Sequence, residues 1–218
     1  MRITAVSYER LDIDLSVPYT IAYETISKTT NFILKLESDG KWLGFGCAAP
    51  DLVVTGENPK DVEYAITTII APYLVGKDPF SYAFVLMELK QLLGKRSSAL
   101  AMVDMALYDL ISKKAEVPLY KFLGGYRNSI ATSITIGILP VEETLRHARE
   151  YVQQGFTILK IKGGDNLQDD IDKMTKIHEK FPQIALRFDG NQGYSVKDSV
   201  AFVKATKDIG IEIFEQPT

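Results

Sequence analysis

The sequence predicts an α+β N-terminal domain over residues 1–125, followed over 126–218 by the first half of a (β/α) barrel of the TIM type. Three observations carry this prediction. A hairpin signal and a set of helical patterns fill the first part, strictly alternating strand and helix patterns fill the second, and the polar residues near the strand ends there recur at a near-constant interval. The composition fits: 46% hydrophobic and 24% charged residues in a chain of 218 supply an ordinary globular core and exclude disorder as the main state.

Element by element, Arg2 to Leu15 alternates loosely. Asn31 to Glu37 and Lys41 to Gly46, separated by Asp39-Gly40, read as two strands of an antiparallel hairpin with an Asp-Gly turn. Pro59, Pro79 and Ser97-Ser98 each open a helix, and Gly76, Gly94 and Pro118 mark the ends. In the third helix Leu100, Val103, Ala106, Leu107 and Leu110 recur at helical spacing. After a boundary at Leu123 to Gly125, strands are expected at Ala131–Gly137, Phe156–Ile161, Ile184–Phe188 and Ile211–Phe214. Helices at Val141–Gln154, Leu167–Lys180 and Ser195–Asp208 link them. One helix between each pair of strands means parallel βα units.

The repeat length locates the chemistry. Thr135 to Lys162 is 27 residues, Lys162 to Asp189 is 27, and Asp189 to Glu215 is 26, which puts these four side chains at one height near the C-terminal strand ends, where (β/α)-barrel enzymes carry their active sites. Lys160 and Lys162 share one strand face and Ile161 takes the other. Two ammonium groups so close should lower each other's pKa, making a neutral lysine base feasible. A KxK pattern alone reads more simply as a solvated strand face, and Asp189 or Glu215 alone as a helix cap. Their common register argues otherwise. Two carboxylates converging from adjacent strands suit Mg²⁺. Base plus divalent cation is the pairing needed to remove a proton next to a carboxylate, because the enolate concentrates negative charge that the cation stabilises.

Lys160 to Lys162, Arg187 to Gln192 and Glu215 to Pro217 resemble the KxK, DxN and EQP signatures of the enolase superfamily, in its muconate-lactonising subgroup. Thr55-Gly56, Ala106 to Asp109, Pro118 to Tyr120 and Leu123 to Arg127 are similar to dipeptide epimerases of the L-Ala-D/L-Glu type. The resemblance spans the whole chain. It implies that the first domain caps a barrel and that the enzyme epimerises a small dipeptide by 1,1-proton transfer through an enolate, with Mg²⁺ as cofactor. It implies Lys162 as the acid/base on one face of the substrate α-carbon and Lys160 as carboxylate contact and modulator of Lys162. Asp189 and Glu215 would hold the metal, with Asn191 supporting them, and Thr135 would contact substrate. Glu24, in a loop at Ile21 to Ile26, and Thr55 and Gly56, in the loop from Val54, would close over the barrel mouth and set specificity. Related cycloisomerases and o-succinylbenzoate synthases share much of this pattern and stay open as alternatives, as does a non-catalytic fragment.

Two features depart from the family pattern. A full barrel takes roughly 250 residues, and the sequence stops three residues past Glu215. A third metal ligand is expected about 26 residues further on and a second lysine one unit beyond it, so the chain reads as a partial record of a longer enzyme and as inactive by itself. Acid-specific relatives tend to carry arginine near residue 24, where this sequence has Ala22-Tyr23-Glu24-Thr25. An inward Glu24 would repel an acidic side chain and open a looser or cationic preference.

Other function classes are excluded. A net charge of -3, from 25 basic and 28 acidic residues, offers no footprint for nucleic acid or an anionic membrane. The apolar stretch at 65–75 is shorter than the roughly 20 residues of a membrane span, and early charges at Glu9 and Arg10 leave no secretory h-region. A lone Cys47 fits a reducing, cytoplasmic setting. His147 and His178, far apart, make no zinc site and read as solvated helix residues. Gly94-Lys95-Arg96-Ser97 lacks the earlier glycine of a phosphate loop, Leu89 standing in its place. A small-molecule substrate and a homo-oligomer when full length complete the expectation.

Overall fold

A computed structural model describes residues 1–20 and 25–218. The chain divides into two compact units, the first joining Met1–Asp14 to Lys28–Asn128 and the second joining Leu15–Ser27 to Ser129–Thr218.

An antiparallel sheet of β1 (Ile3–Thr20), β2 (Thr25–Ser38) and β3 (Leu43–Ala48), in that order, supplies the first unit's sheet through its residues up to Asp14 and from Lys28 on. Thr25 and Ile26, expected in a loop, already belong to β2, and β1 runs past the expected end at Leu15. The hairpin forms where expected with a different turn. Ser38 N–H donates to Trp42 O at 3.1 Å and leaves a three-residue loop in which Lys41, at φ 69°, takes the left-handed position instead of Gly40. Along β2 the period-2 pattern buries Phe32, Leu34 and Leu36.

Helix α1 (Pro59–Tyr64) begins at a capping box in which the Asn58 side chain accepts from the Lys60 and Asp61 N–H groups and Asp61 answers to the Asn58 N–H. It widens into a π-helical stretch at Ala65–Ile70 and continues as α2 (Ala71–Leu74). Pro72 accounts for the widening: it has no N–H to donate and its ring crowds the carbonyl one turn back. Helices α3 (Tyr82–Leu93) and α4 (Ser97–Lys114) follow, then the short α5 (Leu119–Phe122). The start of α4 has no local side-chain cap. Buried Glu57, 41 residues before Ser98, accepts from the Ser98 and Ala99 N–H groups at 2.7 and 3.3 Å.

The sheet lies on α4 at backbone contact. A Cβ at Gly44 would sit 2.3 Å from the Ala106 carbonyl oxygen, and one at Gly46 would sit 1.9 Å from that of Met102. Around this contact Met102, Val103, Ala106, Leu107 and Leu110 close the core with Phe32 and Leu34. Trp42 packs partly buried at its edge.

The second unit alternates β4 (Ile134–Ile136), α6 (Val141–Gln153), β5 (Ile158–Lys162), α7 (Leu167–Lys180), β6 (Ala185–Asp189), α8 (Val196–Ala205) and β7 (Ile213–Glu215). The strands form one parallel sheet in the order β4-β5-β6-β7, a partial TIM barrel. The first and last strands are shorter than the sequence suggests. Ile136, Leu159, Ile161, Leu186 and Phe188 bury against Leu145 and Ala148 of α6, Met174 and Ile177 of α7 and Phe202 of α8. The alternate residues of β5, Lys160 and Lys162, therefore project from the opposite face of the sheet. No helix among the described residues is long and apolar enough to cross a membrane.

Because Gly46 touches the α4 backbone, Gly46→Ala has no side chain to displace and must part strand from helix. We expect a loss of about 3 kcal/mol, read as a lower urea midpoint at unchanged slope. An unchanged midpoint would contradict the seating of β3 on α4.

Candidate active site

Strand register decides which of the expected residues meet. Lys162 pairs with Asp189 and Asp189 with Glu215, so these three are level across β5, β6 and β7. Thr135 pairs with Lys160 instead, one layer lower on the same face. The expectation of four residues at one height is corrected to three, with Thr135 exposed beside the lower lysine. The pairing continues past the strands, Gly163 N–H donating to Asp189 O and Gly190 N–H to Glu215 O at 3.0 Å each.

Asp189 is the centre of the cluster. Its side chain is 2% exposed, and its Oδ2 lies 2.8 Å from both Lys160 Nζ and Lys162 Nζ. Oδ1 accepts the Asn191 N–H at 3.0 Å. Lys160 also donates to Glu215 Oε2 at 2.7 Å, and Lys162 to Asn191 Oδ1 at 2.9 Å. Asn191 thus meets the lysine directly, a contact that the sequence motif does not reveal. It reaches it from a left-handed turn, with φ 43° at Asn191 and 62° at Gln192; Gln216, after Glu215, has φ 37°. Such conformations persist in non-glycine residues only where surroundings over-determine them. Arg187, paired with Lys160 across the strands, is tied to Glu212 by Nε at 2.8 Å.

Burial pushes the Lys160 ammonium down, but the hydrogen bonds and charges of Asp189 and Glu215 outweigh it and hold the group above the ordinary lysine value. This corrects the expectation that lysine–lysine repulsion lowers it: carboxylates lie closer than the other ammonium matters. Burial also opposes ionisation of Asp189, yet Lys160, Lys162 and the Asn191 N–H hold its carboxyl below the usual range.

Asp189 and Glu215 converge on one cation-sized position, which the Lys160 ammonium fills. An all-oxygen pair of this kind suits Mg²⁺ and gives it part of a ligand set. Among the described residues no third His, Cys, Asp or Glu joins them. A divalent ion held here would take its remaining oxygens from outside these two side chains.

Thr55 and Gly56 belong to the first unit. The Thr55 hydroxyl donates to Asp51 O at 2.8 Å in a local turn, and Gly56 has φ 72°. Glu24 lies outside the described residues.

The class defined by this fold and cluster is a partial (β/α)-barrel enzyme with lysines and carboxylates sharing the C-terminal strand ends. Residues 4–124 match the model of the mandelate racemase/muconate lactonizing enzyme N-terminal domain, and 143–218 match that of the enolase C-terminal domain-like family. The chain belongs to the mandelate racemase/muconate lactonizing enzyme family of the enolase superfamily. It is 43% identical over 218 residues to the L-Lys-D/L-Arg epimerase of Desulforapulum autotrophicum, covering 100% of this chain and 61% of that protein. The substrate-liganded L-Ala-D/L-Glu epimerase of Bacillus subtilis superposes with TM-score 0.94 at 35% identity, covering 100% and 62%. The dipeptide epimerase of Methylococcus capsulatus, complexed with Mg and the dipeptide L-Arg-D-Lys, superposes with TM-score 0.92 at 33% identity and the same coverage. The chain thus spans about three-fifths of the length of these isomerases.

The stability that Asp189 contributes follows from its lowered pKa. It is present above the unfolded value of roughly 3.9 and is lost as pH falls through the folded one. In chelated solution, Asp189→Asn should flatten the acid limb of stability against pH, measured by urea unfolding. An acid limb identical to the parent's would contradict an ionised, paired Asp189.

Proposed function

We propose that the chain supplies the proton-transfer half-site of an Mg²⁺-dependent dipeptide epimerase, and that its substrates are cationic dipeptides. The observation that supports it best is the level cluster of Lys162, Asp189 and Glu215 with Lys160 one layer below.

In this reading Lys162 Nζ, as the free amine, removes the α-proton of the C-terminal residue of the dipeptide. The C–H electron pair passes into the enolate of the adjacent carboxylate, and Lys162, now an ammonium, can return the proton to the same face. Asn191 Oδ1 and Asp189 aim that nitrogen. Lys160, kept charged by its carboxylate neighbours, faces the growing negative charge. Asp189 and Glu215 would hold Mg²⁺, which supplies further positive charge against the enolate when bound. Asn191 supports Asp189 through its N–H. Thr135, exposed one layer below, would contact substrate, and Glu24, Thr55 and Gly56 would line its side chains. Among the described residues this cluster contains no lysine beyond Lys160 and Lys162, so it accounts for transfer at one face.

Two observations support a cationic substrate: the 43% identity to an L-Lys-D/L-Arg epimerase, and Glu24 in the region where acid-specific members of the family tend to carry arginine. A carboxylate there favours ammonium or guanidinium side chains and repels acidic ones. The same reading takes the protein as cytoplasmic, with Cys47 a free thiol, and as a homo-oligomer.

Exchange of the substrate α-proton with solvent deuterium in a full-length enzyme that carries this chain, followed by NMR on L-Lys-L-Arg, tests the chemistry. Lys162→Ala should slow it at one face by about 10²-fold or more, and a chelator should abolish it. Equal exchange from both stereoisomers in that variant would refute the lysine assignment. Loss of water from the substrate would point to a dehydratase. Glu24→Arg should shift preference from L-Lys-L-Arg toward L-Ala-L-Glu by at least about tenfold in kcat/KM; an unchanged ratio would remove Glu24 from specificity.

A further inference from the structure

Behind the lysine–carboxylate cluster lies a second set of buried polar groups that the proposed chemistry does not use. Asp170, in the first turn of α7, is 1% exposed, and its carboxylate accepts three hydrogen bonds. Oδ2 takes the Gly164 N–H at 2.9 Å and the Tyr194 hydroxyl at 2.6 Å. Oδ1 takes Lys173 Nζ at 3.2 Å, and Lys173 is itself buried. A carboxylate this deep is tolerated because each interaction is charge-assisted and the ammonium balances it.

What the carboxylate joins is informative. Gly164 lies two residues after Lys162, in the loop leaving β5, and Tyr194 lies three residues after Asn191, in the loop leaving β6. The two loops also touch backbone to backbone: a Cβ at Gly164 would lie 2.2 Å from Gly190 O, and one at Gly193 would lie 2.4 Å from Gly164 O. Tyr194 N–H donates to Pro217 O at 2.9 Å, which brings in the segment after Glu215. The buried anion thus ties the loops leaving β5 and β6, and the Tyr194 backbone ties the second of these to the segment after Glu215. Burial and the Asp170 charge keep the Tyr194 hydroxyl protonated and hence a donor. The strained turn at Asn191 and Gln192 lies within this tie and needs such bracing.

We propose that Asp170 and Tyr194 are positioning residues, whose hydrogen bond fixes the loop that holds Asn191 against Lys162 and so sets the direction of the Lys162 nitrogen. The inference rests on the reading of Lys162 as the proton-transfer group, but its geometry can be tested without turnover.

The probe is the Lys162 ammonium in the 218-residue chain labelled with ¹⁵N-lysine, identified by the loss of its signal in Lys162→Arg. Held between Asp189 and Asn191, its protons should exchange slowly enough with water to be seen. Tyr194→Phe keeps the ring packed on Phe188 and Phe202 and removes only the hydroxyl. It should speed that exchange about tenfold, as loss of one charge-assisted hydrogen bond predicts, and Asp170→Asn should do the same. Thr206→Val is the control. It deletes another buried hydroxyl bond, Thr206 Oγ1 to Phe202 O at 2.8 Å, just past the far end of α8, and should lower the melting temperature without moving the Lys162 signal. An unmoved signal in Tyr194→Phe, an equal change in Thr206→Val, or no protected ammonium in the parent chain would each overturn the proposal. Failure of deuterium exchange with the dipeptide in the full-length enzyme would instead sink the functional reading alone.

Discussion

The second unit depends on one buried charge. Asp189 has almost no access to water, and an isolated carboxylate there would carry a desolvation cost of several kcal/mol. Two lysines and a backbone N–H offset it, and each constrains something else. Lys160 links it to the next strand through Glu215, Lys162 links it to the turn through Asn191, and the Asn191 N–H closes that turn onto the carboxylate that needs it. Removing any one of these partners leaves the buried Asp189 carboxylate with fewer groups to offset its desolvation. The same interdependence makes the cluster a pre-organised electrostatic site rather than a set of mobile surface charges.

Strand periodicity explains why the cluster was legible in the sequence. Side chains two apart share a face, so Lys160 and Lys162 announced their direction without any structure, and Asp189 and Glu215 stood at the ends of apolar runs. Thr135 was placed one layer too high because a constant interval counts loop residues as well as strand residues, and the connection through α6 does not have the length of the one through α7. The expectation of a lowered Lys160 fails for a related reason: it considers only the residues on one strand, whereas the decisive charges, Asp189 and Glu215, come from the neighbouring strands.

Other features carried no local signal. Glu57 caps α4 from a distant loop, and nothing around Ser97 reveals it. Asp170 looks like any acid in a helix's first turn, where it favours the dipole; only the folded chain turns it inward toward Gly164 and Tyr194. The hairpin turn was recognisable from Asp39-Gly40, but its length was not, since the left-handed residue is Lys41. In each case the determining partner is remote in sequence or the choice lies between backbone states of similar energy.

The π-helical stretch between α1 and α2 has a geometric consequence for the first unit's core. Val62, Ile66, Ile70 and Leu74 are all buried, and each follows the last by four residues. In a regular α-helix a four-residue step overshoots one turn by about 40°, so this row would wind a third of the way around the rod by Leu74. Wider turns at Ala65–Ile70 unwind part of that drift, and the row stays aimed at one side. The rod is in effect phased: an extra residue in the winding, set by Pro72, lets a four-residue apolar repeat behave as a straight stripe.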